Sequence, residues 1–470
     1  MAVVLIAAFG LWLKPPALLR VGANYAAKIV CSNVFLAGRE PGEVLRDDVR
    51  APGVAILRLM RVSVDRERRV VRAGFFGFIG GGLAAARPGV GCAALPDRDL
   101  AAGLGAGFTP TSSVRAGAAN DASGGSASNP RGADAGRPWP EGDAVATTPA
   151  LDQILAADAL AGPGVRAIVV VHRGRIVAER YSDGFSAATP LLGWSMAKSV
   201  LAGLVGMLIE DGRLSLEQSA GWPADGSGRD RIRIADLLAM SSGLAFNEGY
   251  GAVSDVTRML YLEPDMAGFA RAQPLAHPAG EFWSYSSGSA NILSRIAQDA
   301  AGVGGAAEAA AAAQTGAAYP AQRLFAPLGM KSAVIETDEH GTLVASSYMY
   351  ATARDWARYG QFLLQGGTWE GRRMLPPGYV AMMAAPVAAS GGQYGHGLVW
   401  LWGSDAIAPG TNPDAAFGIP ADTFWMMGHD GQSIAIVPSR DLVVVRLGLT
   451  PAWHRHMPQP LVKALLGALE

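Results

Sequence analysis

The sequence predicts an α+β fold, an α/β sandwich. Strands from both ends of one large region close a single antiparallel sheet, helices flank it, and a mostly helical subdomain lies between the ends. Three observations carry this expectation. Residues 165–181 alternate as a hairpin about Arg173-Gly174. Residues 433–449 alternate as a second strand pair about Ser439-Arg440. Between them, stretches such as 195–211 and 351–364 are apolar at helical spacing.

Taken from the start, residues 1–20 are signal- or anchor-like: Ala2 to Leu13 is unbroken apolar sequence (Gly10 included), ended by Lys14-Pro15-Pro16. That run has the length of a signal-peptide h-region and is short of the roughly 20 residues of a comfortable membrane span. No basic n-region precedes it and no clear A-x-A site follows. A truncated signal, an uncleaved anchor and a buried segment are the readings open, and the expectation is an exported, periplasmic chain with this segment as candidate inner-membrane anchor. Residues 21–100 form a small, partly β region. It contains the only two cysteines, Cys31 and Cys92, which either form one disulfide across a long loop or stay as two buried thiols. Residues 101–148, built of Gly, Ala, Ser, Asn, Asp and Pro, read as a flexible linker that buries too little apolar surface to offset its ordering entropy.

Residues 149–470 carry the chemistry. The 165–181 hairpin comes first, and the helix at 195–211 stops at Gly212. The helix at 351–364 has Asp355 near its start and Gly366-Gly367 after its end. The alanine-rich piece 302–318 is an inserted loop or helix extension, and an amphipathic helix at 461–469 closes the chain. At 470 residues a large core and more than one structural unit are affordable. A formal net charge of −1 gives no electrostatic reason to expect a nucleic-acid partner.

Ser195-Met196-Ala197-Lys198 is the sharpest signal. Residues three apart on a helix share a face, so an amine comes within reach of a hydroxyl. A serine nucleophile needs such a base where no histidine serves. Lysine is rare here: Lys14, Lys28, Lys198, Lys331 and Lys463 are the only five among 39 basic residues. Arginine could not replace Lys198 as a base because it does not release its proton. Alone, an S-x-x-K is weak. Trp283-Ser284-Tyr285-Ser286-Ser287-Gly288 adds a phenol and hydroxyls on a loop, suited to proton relay, although a tyrosine there could equally be structural. Gly428-His429-Asp430-Gly431-Gln432, just before a strand, lets a substrate approach backbone closely and offers an amide to an oxyanion. Its bland reading is a plain D-G turn. The seven histidines are scattered, and His454-Arg455-His456 reads as a surface pair without further ligands, so no metal or cofactor is expected.

In this order, S-x-x-K, Y-x-S and H-x-G before a late strand, the chain resembles the serine β-lactamase and penicillin-binding superfamily. The likeness is strongest to its class C-like branch of esterases and 6-aminohexanoate-dimer hydrolases. Asp236 to Leu244, Pro327 to Met330 and Ala351 to Asp355 resemble the branch as well. The resemblance implies a β-lactamase/transpeptidase-like fold with Ser195 as nucleophile, Lys198 as general base and Tyr285 as proton relay. It further implies Ser287, His429, Gly431 and Gln432 around the substrate, and an oxyanion hole from the Ser195 and Gln432 amides. The chain departs from class C at two places. Tyr-x-Asn is here Tyr285-Ser286-Ser287, and Lys-Thr-Gly is His429-Asp430-Gly431. Losing that lysine removes a permanent charge for a β-lactam carboxylate. The expectation is therefore a serine esterase or amidase acting on a small ester, amide or peptide-like substrate. The alternatives are a β-lactamase or DD-peptidase, and a catalytically idle binding protein on the same fold.

Overall fold

The computed structural model describes residues 14–51, 54–100, 136–302, 316–406, 408 and 410–470. The apolar run 2–13, most of the linker (101–135) and most of the alanine-rich piece (303–315) lie outside the described residues. The chain divides into two compact units. One is made of residues up to 110 with 211–321 and 334–349; the other of 111–210, 322–333 and 350–470.

In the first unit, the sequence reading missed a helix. Helix α1 (Ala17–Phe35) lies on a meander of four antiparallel strands, β1 (Met60–Asp65), β2 (Val70–Phe75), β3 (Ile79–Arg87) and β4 (Gly91–Ala94). The small residues of α1 permit this. A Cβ on Gly82 of β3 would sit 2.1 Å from the Ala23 carbonyl oxygen, so strand and helix backbones meet where no side chain fits. Asn24 fastens the contact by accepting from the Leu83 N–H at 3.2 Å. The two cysteines form the disulfide Cys31–Cys92, which joins α1 to β4. Beside it Lys28 pairs with Glu336, both fully buried. Glu336 also accepts from the Cys92 N–H at 2.6 Å and the Ser32 hydroxyl at 2.9 Å. Burial pulls the Lys28 pKa down against the opposing pull of Glu336.

The helices Asp255–Leu262 and Ser287–Gly302 also belong to this unit. Ser254 caps the first by accepting from the Thr257 N–H.

The second unit is the predicted sandwich. After helix α2 (Pro149–Ala156), β5 (Val165–His172) and β6 (Arg175–Tyr181) form the expected hairpin. Arg173 and Gly174 both have positive φ (51° and 72°), as a two-residue turn matched to strand twist requires. Helices α3 (Met196–Glu210) and α4 (Ala353–Leu364) follow. Strands β7 (Phe424–Gly428), β8 (Gln432–Val437), β9 (Leu442–Gly448) and helix α5 (Gln459–Ala468) end the chain. The sheet order is β7-β8-β9-β5-β6, antiparallel throughout, so the two ends of the region meet where β9 pairs with β5. One face packs Ile168, Val170, Val437 and Val444 against Leu151 and Leu155 of α2 and Leu461 and Leu465 of α5. The other receives α4, whose Gly360 lies against Val443 and Ile434.

The far end of the 101–148 segment is not linker-like. Trp139 is fully buried, Arg175 donates to its carbonyl at 2.9 Å and Arg358 to that of Pro140 at 3.0 Å. A single large aromatic anchors a stretch whose composition otherwise reads as solvated.

Candidate active site

Ser195 sits one residue ahead of α3, and its sequence explains the presentation. Trp194 is held at φ 48°, a region costly for a bulky residue. Gly193 before it lies where any Cβ would be 2.3 Å from the Trp356 ring. Ser195 is partly exposed, whereas Lys198, one turn on, is 1% exposed. Lys198 Nζ donates to the Ser195 hydroxyl across 3.0 Å. The helix behind this pair is fixed by two buried tyrosines. Tyr359 donates to the Ser199 carbonyl at 2.7 Å and Tyr379 to that of Ala202 at 2.9 Å. Gly203 and Gly206 leave room for their rings.

The 428–432 segment lies in the same unit, and Trp194 meets His429 edge-to-face at 5.7 Å between ring centres. Its geometry corrects the sequence reading of Gln432. Strand β8, which Gln432 opens, is paired on both sides; the edge strand is β7. Nor does the Gln432 side chain reach outward. It is buried, donating to the carbonyls of Gly448 (2.7 Å), His429 (3.1 Å) and Asp430 (3.1 Å) and accepting from the Gly448 N–H (2.9 Å). The Gly431 carbonyl is bound by Arg446 at 2.8 Å, and the Thr450 N–H donates to that of Asp430 at 2.8 Å. All three turn carbonyls are thus tied down from behind.

Backbone contact with the serine loop is made by Gly428 of β7, where a Cβ would lie 2.2 Å from the Gly193 carbonyl oxygen. On β7, Trp425 exchanges both backbone bonds with Trp400 (2.8 and 2.9 Å), away from β8. Strand alternation then turns the amide of Met427, two residues on, to the same outer edge. His429 is half-exposed, with Nε2 3.5 Å from Asp430 Oδ1. Burial raises the Asp430 pKa, with His429 and Arg166 opposing.

Tyr285 and Ser287 belong to the other unit. Met240 brackets the tyrosine: its carbonyl accepts from the Ser284 N–H at 2.9 Å and its sulfur from the Ser286 N–H at 3.3 Å. Ser242 bonds Ser289 at 2.9 Å. The Asp236 to Leu244 stretch therefore serves as scaffold for the tyrosine loop. Ser287 was expected to face substrate, but it is buried and donates from N–H (2.8 Å) and Oγ (2.5 Å) to Glu248, which the Tyr250 hydroxyl also approaches at 3.4 Å. Sequence reasoning passed over Glu248 because a single acid in a polar loop carries no periodicity. Arg446 did leave a signal: it is the one charge in Leu442 to Leu449, on the inward phase of Leu442 and Val444. His456, expected at the surface, instead packs on Gly162. The remaining motif, Ala351 to Asp355, is structural. Thr352 caps α4, Arg354 grips Glu179 through two bonds of 2.9 and 2.7 Å, and Asp355 accepts from the Ser332 hydroxyl at 2.6 Å.

A buried lysine on a presented serine, beside the edge of an antiparallel sheet flanked by helices, defines a serine hydrolase of the penicillin-recognising fold. The β-lactamase family model matches residues 151–458. A 6-aminohexanoate-dimer hydrolase of Paenarthrobacter ureafaciens is 25% identical over 323 residues, covering 61% of this chain and 74% of the relative. Among solved structures, a putative 6-aminohexanoate-dimer hydrolase from Bacillus anthracis superposes with a TM-score of 0.52 at 22% identity, over 68% of this chain and 81% of the other. A putative β-lactamase from Bacteroides dorei DSM 17855 gives 0.51 at 18% identity, over 68% and 98%. The chain belongs to the β-lactamase family and is a serine hydrolase of amide or ester bonds.

Proposed function

We propose that the protein cleaves small linear esters or amides through an acyl-enzyme on Ser195. The observation that carries this is the 3.0 Å contact between Lys198 Nζ and Ser195 Oγ. In the neutral form Lys198 takes the hydroxyl proton as Oγ bonds to the substrate carbonyl carbon. The charge arising on the carbonyl oxygen is met by the Ser195 amide and by an outward amide of β7, that of Met427, in place of the Gln432 amide. Loss of one such donor costs about 100- to 1,000-fold in rate. As the adduct collapses, the bond from the carbonyl carbon to the leaving amine or alkoxide breaks, and Tyr285, assigned on its motif, gives that group its proton. Water then attacks the ester carbonyl and yields a proton to Tyr285, and Lys198 returns its proton to Ser195 Oγ as the Oγ–carbon bond breaks and the acid departs.

Two features favour linear substrates over β-lactams. The 429–431 turn offers a half-exposed imidazole where a lysine would supply permanent charge. The curated relative is named for hydrolysis of a 6-aminohexanoate dimer rather than of a β-lactam. His429 and Gly431 line the substrate side of this turn in the proposal, while Gln432 holds the turn from behind; Ser287 holds Glu248 within its own unit. The Cys31–Cys92 disulfide supports an exported location, since such bonds persist in oxidising compartments.

The test is intact-mass analysis and product release with p-nitrophenyl acetate, p-nitrophenyl butyrate and nitrocefin, against Ser195→Ala. Rapid p-nitrophenol release with slow nitrocefin turnover, both lost in the variant, is the expected result. Preferential nitrocefin turnover would make the protein a β-lactamase, and a long-lived nitrocefin adduct would make it a penicillin-binding protein.

A further inference from the structure

Exposed large apolar side chains are distributed unevenly over the described residues. Six of the ten are Leu18, Val54, Ile56, Leu59, Phe76 and Phe78, all in the small α1/β1–β4 part of the first unit. They converge on one tip. The Phe76 N–H donates to the Leu59 carbonyl at 2.9 Å, and the Leu57 N–H to that of Val54 at 2.9 Å, so the two loops are stapled together. Under them, Gly22 of α1 touches both Phe75 and Leu57. Gly80, just beyond Phe78, meets the Leu19 carbonyl, which places Leu18 at the same end. Two phenylalanines on a tight turn, 58% and 50% exposed, are costly to leave in water.

The segments that build this tip carry charge of one sign only. Residues 14–23, 54–61 and 74–82 contain Lys14, Arg20, Arg58 and Arg61 and no acid. Lys14, Arg58 and Arg61 are exposed, and Arg61 borders Gly77 in the Phe76–Phe78 turn. The acids of the same hairpin, Asp65 and Glu67, lie at its opposite end, since Asp65 pairs with Val70 whereas Met60 pairs with Phe75. The apolar run Ala2 to Leu13 joins the chain directly at Lys14, on the tip side of α1.

We propose that this tip docks on the surface of an anionic lipid bilayer. Phe76, Phe78, Ile56, Leu59 and Leu18 enter the headgroup and upper acyl region, and Lys14, Arg58 and Arg61 sit at the phosphates. Apolar residues beside basic ones, in segments that hold no acid, fit an anionic membrane better than a second copy of the same basic tip.

The test uses the full chain and vesicles of phosphatidylglycerol with phosphatidylethanolamine, with phosphatidylcholine vesicles as control. Flotation is compared for the wild type and for Phe76→Ser/Phe78→Ser, whose ester hydrolysis reports folding. The expected result is preference for the anionic vesicles, weakened by salt, and a roughly tenfold or greater loss of affinity in the variant. Hydrogen exchange of 54–61 and 74–80 slows when vesicles are added. Equal binding of the variant without protection of these segments would overturn the proposal and leave the run 2–13 as sole attachment. Self-association through the tip without vesicle binding would overturn it too.

Discussion

Arg446 donates from Nη1 to the Gly431 carbonyl at 2.8 Å, and among the described residues no carboxylate pairs with its guanidinium. Its other donors go to the Ala161 carbonyl (2.9 Å), the Pro163 carbonyl (3.0 Å) and the Thr450 hydroxyl (2.8 Å). Burial pushes its pKa down to about 10, so it stays protonated near neutrality. A buried cation satisfied only by neutral oxygens is expensive to hold unless its geometry is fixed. Here it ties the end of β9 to the turn between β7 and β8.

Arg446→Met leaves those carbonyls unpaired and should destabilise the protein by about 3 kcal/mol. Arg446→Lys cannot span the four acceptors and should recover only part of this. Urea titrations, with kcat measured where the variants remain folded, check both. Wild-type stability in Arg446→Met would contradict the positioning role.

Gly428→Ala tests the closeness of β7 to the serine loop. Its φ of −133° suits any residue, so the cost is steric: a methyl 2.2 Å from the Gly193 oxygen. Pushing the edge strand away by a fraction of an ångström should lower kcat by roughly 100-fold, with unfolding midpoints changed little. Unchanged kcat would remove β7 from the oxyanion site.

Acid and base should act on the first unit through Asp338 and Glu339. Burial raises both pKa values to about 7, against N–H donors from Met266 and Thr342 to Asp338 and from Asp97 to Glu339. The folded state then holds more protons than the unfolded one between about pH 4 and about pH 7. Their stabilising contribution is complete below that window and is lost as pH rises through about 7. Asp338→Asn should flatten the pH dependence of the urea midpoint over this range. His456 works the other way, because burial pushes it down to about 4 and stability it contributes fades as pH falls below its usual value.

The disulfide closes a loop with a sequence separation of 61. Chain entropy assigns it about 4 kcal/mol. Cys31→Ser/Cys92→Ser should lose about that much in urea titration, and the wild type should match it under reductant. A loss confined to a few tenths would show that α1 and β4 are held by packing alone.

Much of the second unit was legible because its strands are short apolar runs bounded by turn residues. Leu442 to Leu449 and Ala167 to Val171 alternate between two buried faces, and Arg173-Gly174 supplies the turn. Ser195 and Lys198 were legible because a three-residue helical spacing dictates proximity. Helix α1 was not: Ala17 to Phe35 carries Asn24, Lys28, Ser32 and Asn33 on buried positions, so polar residues break the apolar stripe that marks a helix. The roles of Gln432 and Ser287 were also hidden. Spacing shows which residues are near a turn, but the direction of a side chain depends on partners such as Gly448 and Glu248 from distant sequence.

The most direct test of the central claim is labelling by a fluorophosphonate, with the adduct mapped by peptide mass analysis. The account predicts a single adduct on Ser195, formed rapidly in the wild type, very slowly in Lys198→Arg, whose side chain cannot act as base, and not at all in Ser195→Ala. Labelling of Lys198→Arg at the wild-type rate, or an adduct on another serine, would contradict it.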